Sequence, residues 1–323
     1  HLPGTAPLIG RDGDLAALAA AWSTARLVSI LGAGGIGKTR LAHAHAQASL
    51  LPDGMRWIDL STVAADEDVV AAVAQGCAIP VTSHASVGTV TGALADKSML
   101  LVLDNVEHVA GGVATLVAAL LAAAPALRLL VTGQVPLGVA GERIHRLAPL
   151  AVPPPDATAD DSYAAVQLFI ERARADNLRF APDAAAMAQI AAICRALDGL
   201  PLAIELAAAR VRLLGVHGVR ERLDSMLRLL TRVRGHAHEQ PPRQLTLRAT
   251  LEWSHGLLSP REQRLLRQLA PFVGGFTLEL AQAVAAGGDG EDGESDDAWA
   301  PTKGRSKEAG RLASNRMAPP ITY

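Results

Sequence analysis

Aromatic side chains make up only 3% of the 323 residues: four Phe, four Trp and two Tyr. That scarcity excludes a core built on large ring anchors. It calls for close helix packing through small residues, and the abundance of alanine favours helices. Cysteine is as scarce. Cys77 and Cys194 lie in apolar, helix-like contexts, too few and too scattered for a metal site or a disulfide framework. They read as buried free thiols, which suits a reducing cytosol, so a cytoplasmic location is expected. Neither sign of charge dominates: 30 basic and 32 acidic residues leave a net charge of −2. That balance gives no sign of a dominant nucleic-acid surface. Long apolar runs are also missing. The most apolar, Val113 to Ala124, is bounded by Gly111-Gly112 and Pro125 and is too short to span a bilayer, so no membrane partner is expected. No internal repeat is visible. The chain begins at His1 rather than Met, as a piece of a longer polypeptide would.

What is present is an apolar run, a glycine-rich loop and a helix start: Leu27-Val28-Ser29-Ile30-Leu31, then Gly32-Ala33-Gly34-Gly35-Ile36-Gly37, then Lys38-Thr39-Arg40. Gly32, Gly37, Lys38 and Thr39 match the phosphate-loop pattern G-x-x-x-x-G-K-[ST]. A phosphate chain needs many donors converging on it. Backbone N–H groups supply them only where the chain wraps closely, which glycine permits. The following helix adds free N–H groups and its positive dipole end. Lys38 would reach the β- and γ-phosphates and Thr39 would hold Mg²⁺, so the expected cofactors are ATP or ADP with Mg²⁺.

Periodicity predicts a helix to about Ala25, capped by Asp12 or Asp14, and a strand over Leu27–Leu31. A helix from Lys38 to about Leu50 and a strand over Met55–Leu60 follow. Helices are expected near Asp66–Cys77, Val87–Ala95 and Val106–Ala123, and strands over Met99–Leu103, Leu127–Thr132 and Arg143–Leu147. Strands alternating with helices argue for an α/β fold with a parallel sheet flanked by helices. The Pro- and Asp-rich stretch Pro149 to Asp161 reads as a linker. Beyond it the pattern is helical: about Ser162–Asp176, Pro182–Leu197, Pro201–Leu213, Val219–Leu230, Leu245–Gly256 and Pro260–Leu269, with Thr277 capping one more helix to about Ala285. The expected organisation is a nucleotide-binding domain over 1–150, a helical domain over 151–240, a partial winged-helix domain over 241–286 and a disordered tail over 287–323.

A phosphate loop needs a second acid. Leu100-Leu101-Val102-Leu103-Asp104 is a buried strand ending in a carboxylate, and ligands of parallel sheets sit at the carboxyl ends of strands. Asp104 is therefore the second metal residue beside Thr39. Lys38, Asp104 and Glu107 are the candidate catalytic residues. Glu107 or His108 could orient a water, or both could simply open a helix. Arg143 and His145 alternate on a short strand as surface residues.

These motifs together resemble the STAND nucleotide switches (signal transduction ATPases with numerous domains), specifically the NB-ARC-like ATPase core of bacterial LuxR-type and antibiotic-regulatory-type transcriptional regulators. Leu8-Ile9-Gly10-Arg11-Asp12 is similar to their opening motif, Leu103-Asp104-Asn105-Val106-Glu107-His108 to their second acidic motif, and Asp198-Gly199-Leu200-Pro201-Leu202-Ala203 to their G-L-P-L-A. Leu245–Phe276, with Thr250 to Ser254 and Leu257-Leu258-Ser259-Pro260, is similar to the start of their winged-helix domain. The resemblance covers about residues 5–285. It implies that Ile9 and Gly10 pass the adenine, that Arg11 anchors that loop, and that Pro201 begins a helix whose N-terminal end approaches the nucleotide. The family's fourth strand is followed by Thr-Ser-Arg, the arginine sensing the γ-phosphate, whereas this chain has Thr132-Gly133-Gln134. Many relatives carry two acids where this chain has Asp104-Asn105. Both departures point to slow or impaired hydrolysis, with nucleotide binding kept.

The leading expectation is thus an ATP/ADP-binding signalling switch, at most a weak ATPase, that self-associates on ATP binding and meets DNA only through modules outside this chain. The alternative is a turnover enzyme on the same loop, such as a small-molecule kinase. Such a kinase needs several arginines converging on a substrate, whereas those of residues 150–285 are spread along helices.

Overall fold

The computed structural model describes residues 8–80, 85–155, 161–233, 255–256, 258–270, 272 and 277–287. The expected helix at Leu245–Gly256 falls almost wholly, and the tail from 288 onward entirely, outside those residues.

Five short strands make one sheet: β1 (Leu27–Leu31), β2 (Met55–Asp59), β3 (Leu100–Asp104), β4 (Arg128–Gly133) and β5 (Glu142–Arg146). All neighbours are parallel, in the order β2-β3-β4-β1-β5. Successive side chains of a strand point to opposite faces, and both faces are covered here, which is why β1 and β3 read as unbroken apolar runs. Val28, Ile30, Leu100, Val102 and Leu130 enter one core. Leu27, Leu101, Leu103, Leu129 and Val131 enter the other. The second core is closed by α3 (Val69–Gly76), α4 (Val87–Leu94) and α5 (Ala110–Ala123). The first is closed by α1 (Asp12–Ala21) and α2 (Lys38–Gln47), and continues into α6 (Ala164–Asp176), α7 (Ala184–Ala196), α8 (Pro201–Ala208) and α9 (Val211–Val233). The fold is therefore α/β: a parallel sheet flanked by helices, followed by further helices.

Local chemistry sets the helix ends. Ser86 caps α4 by accepting from the Thr89 N–H, and Asp183 caps α7 by accepting from the Ala186 N–H. Pro201 occupies the first turn of α8, where a missing N–H costs nothing. Helix α9 bends at Gly215, whose φ of 67° is left-handed. Residues 260–269 form α10 (Pro260–Leu269), opened by a capping box of Ser259 and Glu262. Ser259 hydrogen bonds hold the exposed Glu262 carboxyl below its ordinary range. Residues 1–276 form one compact unit; in the second unit the described residues form α11 (Leu278–Gly287), with Thr277 Oγ1 accepting from the Leu280 N–H.

Several expectations change. Arg11, not Asp12 or Asp14, stands at the N-cap of α1 without a side-chain cap, and Asp14 is taken up by an ion pair with Arg11 and a hydrogen bond with His145. Helix α5 starts at Ala110 rather than Val106: Asn105 has a φ of 62° and residues 106–109 turn, with Val109 N–H on the Val106 carbonyl. The stretch read as a linker begins as packed structure. Leu150 and Pro153 are buried, Leu150 N–H donates to the Gly199 carbonyl, and Ala165 N–H donates to the Ala151 carbonyl. Of the two thiols, Cys194 is buried and Cys77 half-buried. Burial pushes the Cys194 thiol up to about 12.

Candidate nucleotide site

The phosphate loop leaves β1 at its carboxyl end. Gly32 N–H donates to the Gly133 carbonyl at 3.2 Å, so the loop starts tied to the end of β4. A Cβ on Gly32 would sit 3.0 Å from Ile36 Cγ2 and 3.3 Å from the Leu147 carbonyl oxygen, closer than side chains ordinarily pack. Gly35 and Gly37 have φ of 73° and 97°, left-handed values that favour glycine. The pattern glycines are thus required by the backbone path. The loop ends at Gly37, the N-cap of α2, and leaves the first N–H groups of that helix without partners inside it.

Arg11 fastens the loop from behind. It is 5% exposed, and its guanidinium donates to the Ile36 carbonyl at 3.1 Å, the Ala148 carbonyl at 2.8 Å and Asp14 at 3.1 Å. Its donors therefore hold protein. Gly10, with a φ of 64°, lies where a Cβ would be 2.2 Å from Ala164 Cβ, so the opening motif presses against the start of α6. Ile9 packs half-buried on the same core. His145, read as a surface residue, is half-buried and pairs with Asp14 at 2.9 Å; Arg143 is exposed.

Lys38 folds over its own loop, Nζ donating to the carbonyls of Gly32 at 3.0 Å and Ala33 at 3.2 Å. Burial pushes its ammonium below the ordinary lysine value, and the Glu107 and Asp104 carboxylates oppose that shift. Asp104 is 2% exposed at the end of β3. Its Oδ1 accepts from Thr39 Oγ1 at 3.1 Å and from Thr132 Oγ1. Burial pushes the Asp104 carboxyl above its ordinary range; Asp59 adds to this, while the two threonines and Lys38 oppose it. A half-buried hydroxyl and a buried carboxylate side by side at the mouth of a phosphate loop are the hard oxygen donors that suit Mg²⁺.

Glu107 and Gln134 meet. Gln134 Nε2 donates to Glu107 Oε1 at 3.3 Å, while Glu107 Oε2 is shut from solvent with no hydrogen-bond partner among the described residues. His108 is directed elsewhere: its Nε2 lies 3.0 Å from the Leu60 carbonyl and 2.9 Å from that of Val63, so it braces the turn before α5. Helix α8 arrives from the other side. Leu202 N–H donates to the Gly35 carbonyl at 3.1 Å, which places the Pro201 end of α8 on the loop. Arg40 pairs with Glu205 at 2.9 Å, joining the first turn of α2 to α8.

Three contributors were missed by sequence reasoning. Thr132 shares Asp104 Oδ1 with Thr39 and also accepts from the Asn105 N–H at 3.1 Å. Asp59 stands beside Asp104 in register, accepting from Asn105 Nδ2 at 3.1 Å and the Ser61 N–H at 2.9 Å. Burial alone would raise the Asp59 carboxyl, but these hydrogen bonds, with His108, bring it below the ordinary range. Glu205 is the third. A polar residue at the carboxyl end of a strand is the signal that could have found Thr132 and Asp59; Glu205 carries none.

No family model matches the chain. A Mycobacterium tuberculosis protein named "Putative HTH-type transcriptional regulator" is 42% identical over 265 residues, 82% of this chain and 29% of that protein. A Mycobacterium bovis protein of the same description matches equally. The chain thus spans about three tenths of the length of these relatives. Among solved structures, the chain is similar to a STAND protein with a tetratricopeptide repeat sensor from Pyrococcus horikoshii (TM-score 0.49, 16% identity, covering 87% of this chain and 37% of that one). It is also similar to a Walker-type ATPase of Pyrococcus abyssi (TM-score 0.46, 16% identity, 89% and 88% covered). An "Uncharacterized protein" of Mycobacterium tuberculosis is 39% identical over 288 residues, 88% of this chain and 70% of that protein, and one from Mycobacterium bovis matches equally. With that much of both chains shared, this protein belongs to the family of those two mycobacterial proteins.

Proposed function

We propose that this chain is the nucleotide-binding switch core of a STAND-class, HTH-type transcriptional regulator, holding ATP or ADP with Mg²⁺. The observation that carries the reading is one constellation at the carboxyl end of the sheet. The glycine-shaped loop, Lys38, and the Thr39–Asp104 pair converge there, and α8 is hydrogen-bonded onto the same loop through Leu202 N–H and Gly35.

Gly32 to Gly37 offer backbone donors to the phosphates. Lys38 leaves the two loop carbonyls for phosphate oxygens, a charge-assisted exchange. Thr39 and Asp104 would hold Mg²⁺, which when bound neutralises phosphate charge. Ile9 and Gly10 line the adenine side, with Arg11 fixing the loop behind them. Glu107, with one carboxylate oxygen buried and unpaired, is the group to orient a water, and Gln134 steadies it. A neutral amide at 134 cannot supply the charge an arginine would, so hydrolysis is slow. Arg40 and Pro201 couple the nucleotide to α8, so a bound γ-phosphate biases the packing of the later helices. DNA contact and sensing belong to modules outside these residues, and self-association follows ATP binding. A small-molecule kinase is disfavoured because Arg11 and Arg40 are both engaged by protein groups.

The test is chromatography of the supernatant from denatured, freshly purified protein, with ATP and ADP titrations by calorimetry in Mg²⁺. Co-purifying ADP and saturable binding are expected. No binding of either nucleotide at millimolar concentration would overturn the reading.

A further inference from the structure

A cleft of 590 Å³ opens at the opposite end of the sheet from the phosphate loop. Its walls are α1 and the last turn of α2 with the residues after it, and its floor is the amino ends of β3 and β4, at Leu100 and Arg128. Arg128 to Gly133 is one strand of about 17 Å, and Gly133 is the residue tied to Gly32. The cleft is therefore a separate place from the nucleotide site.

Small side chains make the space. Ala16 and Ala19 on α1 are one helical step apart, as are Ala44 and Ala48 at the end of α2 and just beyond it, so two methyl-lined faces flank the opening. Leu50, at the rim, is 96% exposed. Against this apolar lining stands a cation. The Arg128 guanidinium lies 5.8 Å from the centroid of the Trp22 ring, and no carboxylate pairs with it among the described residues. Trp22 donates from Nε1 to His45 Nε2, the two rings lying nearly in one plane with centroids 5.9 Å apart. That bond leaves the imidazole proton on Nδ1, so the neutral ring keeps one N–H donor. Burial, and then Arg128, hold the His45 ring below its ordinary pKa.

An apolar hollow of this size lined by two polar groups, His45 and an Arg128 guanidinium that pairs with no acid among the described residues, matches how small-ligand sites are built. We propose that this cleft binds a compact apolar carboxylic acid, its hydrocarbon part between the alanine faces and its carboxylate on Arg128 and His45. The unpaired guanidinium selects the anion, and the methyl-lined walls select the apolar body. The ligand touches the far end of α2, the helix whose first turn carries Lys38 and Thr39, so the site is positioned as an effector input.

The experiment uses the full chain and ligand-detected NMR titration with benzoate, cinnamate, naphthalene-2-carboxylate and 4-methylpentanoate, each beside its primary amide. At least one acid is expected to saturate below 1 mM, with its amide at least about tenfold weaker, the lower end of what a charge-assisted hydrogen bond contributes. Arg128→Gln should weaken the acid about tenfold and erase the acid–amide difference. Ala48→Leu, at an exposed position that tolerates leucine, should abolish binding by filling the space. With both proteins stripped of nucleotide, Lys38→Ala should bind the acid as wild type does, which separates this site from the nucleotide reading. Absence of saturable binding by every acid, an unchanged affinity in Arg128→Gln or Ala48→Leu, or loss of binding in Lys38→Ala would each overturn the proposal.

Discussion

Asp104→Asn tests the site from two directions at once. In the ligand-free protein Asp104 is a buried carboxylate whose Oδ1 already serves two hydroxyl donors, Thr39 and Thr132. An asparagine amide oxygen can accept both, so the substitution keeps the hydrogen bonds and removes the charge. Burial, then Asp59, raise the Asp104 carboxyl in the folded state. A carboxyl raised on folding favours the native state when protonated. That contribution is fully present below its unfolded pKa and is lost as pH rises through the folded one. Removing the charge should therefore stabilise the nucleotide-free protein at pH 7.5 by about 1 kcal/mol, a rise in Tm of roughly 2–4 °C for a unit of this size. The gap should narrow as the pH falls and the Asp104 carboxyl takes up its proton. With nucleotide present the sign reverses. Mg²⁺-dependent affinity should fall by tenfold or more, the order seen when groups that orient a metal are removed, while Mg²⁺-free affinity changes little. Thermal melts over a pH series, with and without Mg²⁺-ADP, read both. A variant that melts below wild type at pH 7.5 without ligand, or that loses equal affinity with and without Mg²⁺, refutes the assignment of Asp104 as a functional acid held at a cost in stability.

Lys38→Ala should remove most ATP affinity by calorimetry while the ligand-free melt stays within about 1 kcal/mol of wild type, because the loss of two hydrogen bonds to its own loop is offset by removing a buried ammonium. Arg11→Met should cost about 2–3 kcal/mol in urea unfolding, because it leaves the buried Ile36 carbonyl unpaired and unfastens the loop; a loss under 0.5 kcal/mol would show that the loop stands without it. Gln134→Arg should shift the ATP-to-ADP affinity ratio about fivefold toward ATP, the difference between a charged and a neutral hydrogen bond. Adding Glu107→Gln should increase that shift, because the carboxylate 3.3 Å from the Gln134 amide would otherwise hold the new guanidinium; a ratio unchanged in both variants means residue 134 does not face the nucleotide.

How much of this was legible in the sequence follows the range of each interaction. β1 is bounded as read, Leu27–Leu31, because a buried parallel strand is an apolar run ending where the glycines begin. Helix α10 is bounded as read because Ser259, Pro260 and Glu262 are a local start signal. Lys38, Thr39 and Asp104 could be named because a loop motif and a strand-end acid are each visible within a few residues. Their meeting could be inferred from the parallel sheet, since both lie at carboxyl ends. Thr132 and Asp59 needed more: the strand order places β4 between β1 and β3, and β2 beside β3, and no local pattern states that order. Glu205 needed the path of α8, and the start of α5 was misread because the φ of Asn105 and the hold of His108 on two distant carbonyls are tertiary facts.

The loop and the later helices form one mechanical element. A phosphate loop alone presents donors toward its ligand and carbonyls elsewhere, and every buried carbonyl needs a partner. Here the Gly35 carbonyl takes the Leu202 N–H of α8, and the Ile36 carbonyl takes Arg11. Lys38 occupies the carbonyls of Gly32 and Ala33. Drawing Lys38 onto phosphate would free those two carbonyls and remove the buried ammonium from beside Glu107 and Asp104. The Arg40–Glu205 pair, about one third exposed on each side, is weak enough to break and re-form at small cost. A loop whose backbone partners come from α8 and the Arg11 segment cannot change its contacts without changing theirs.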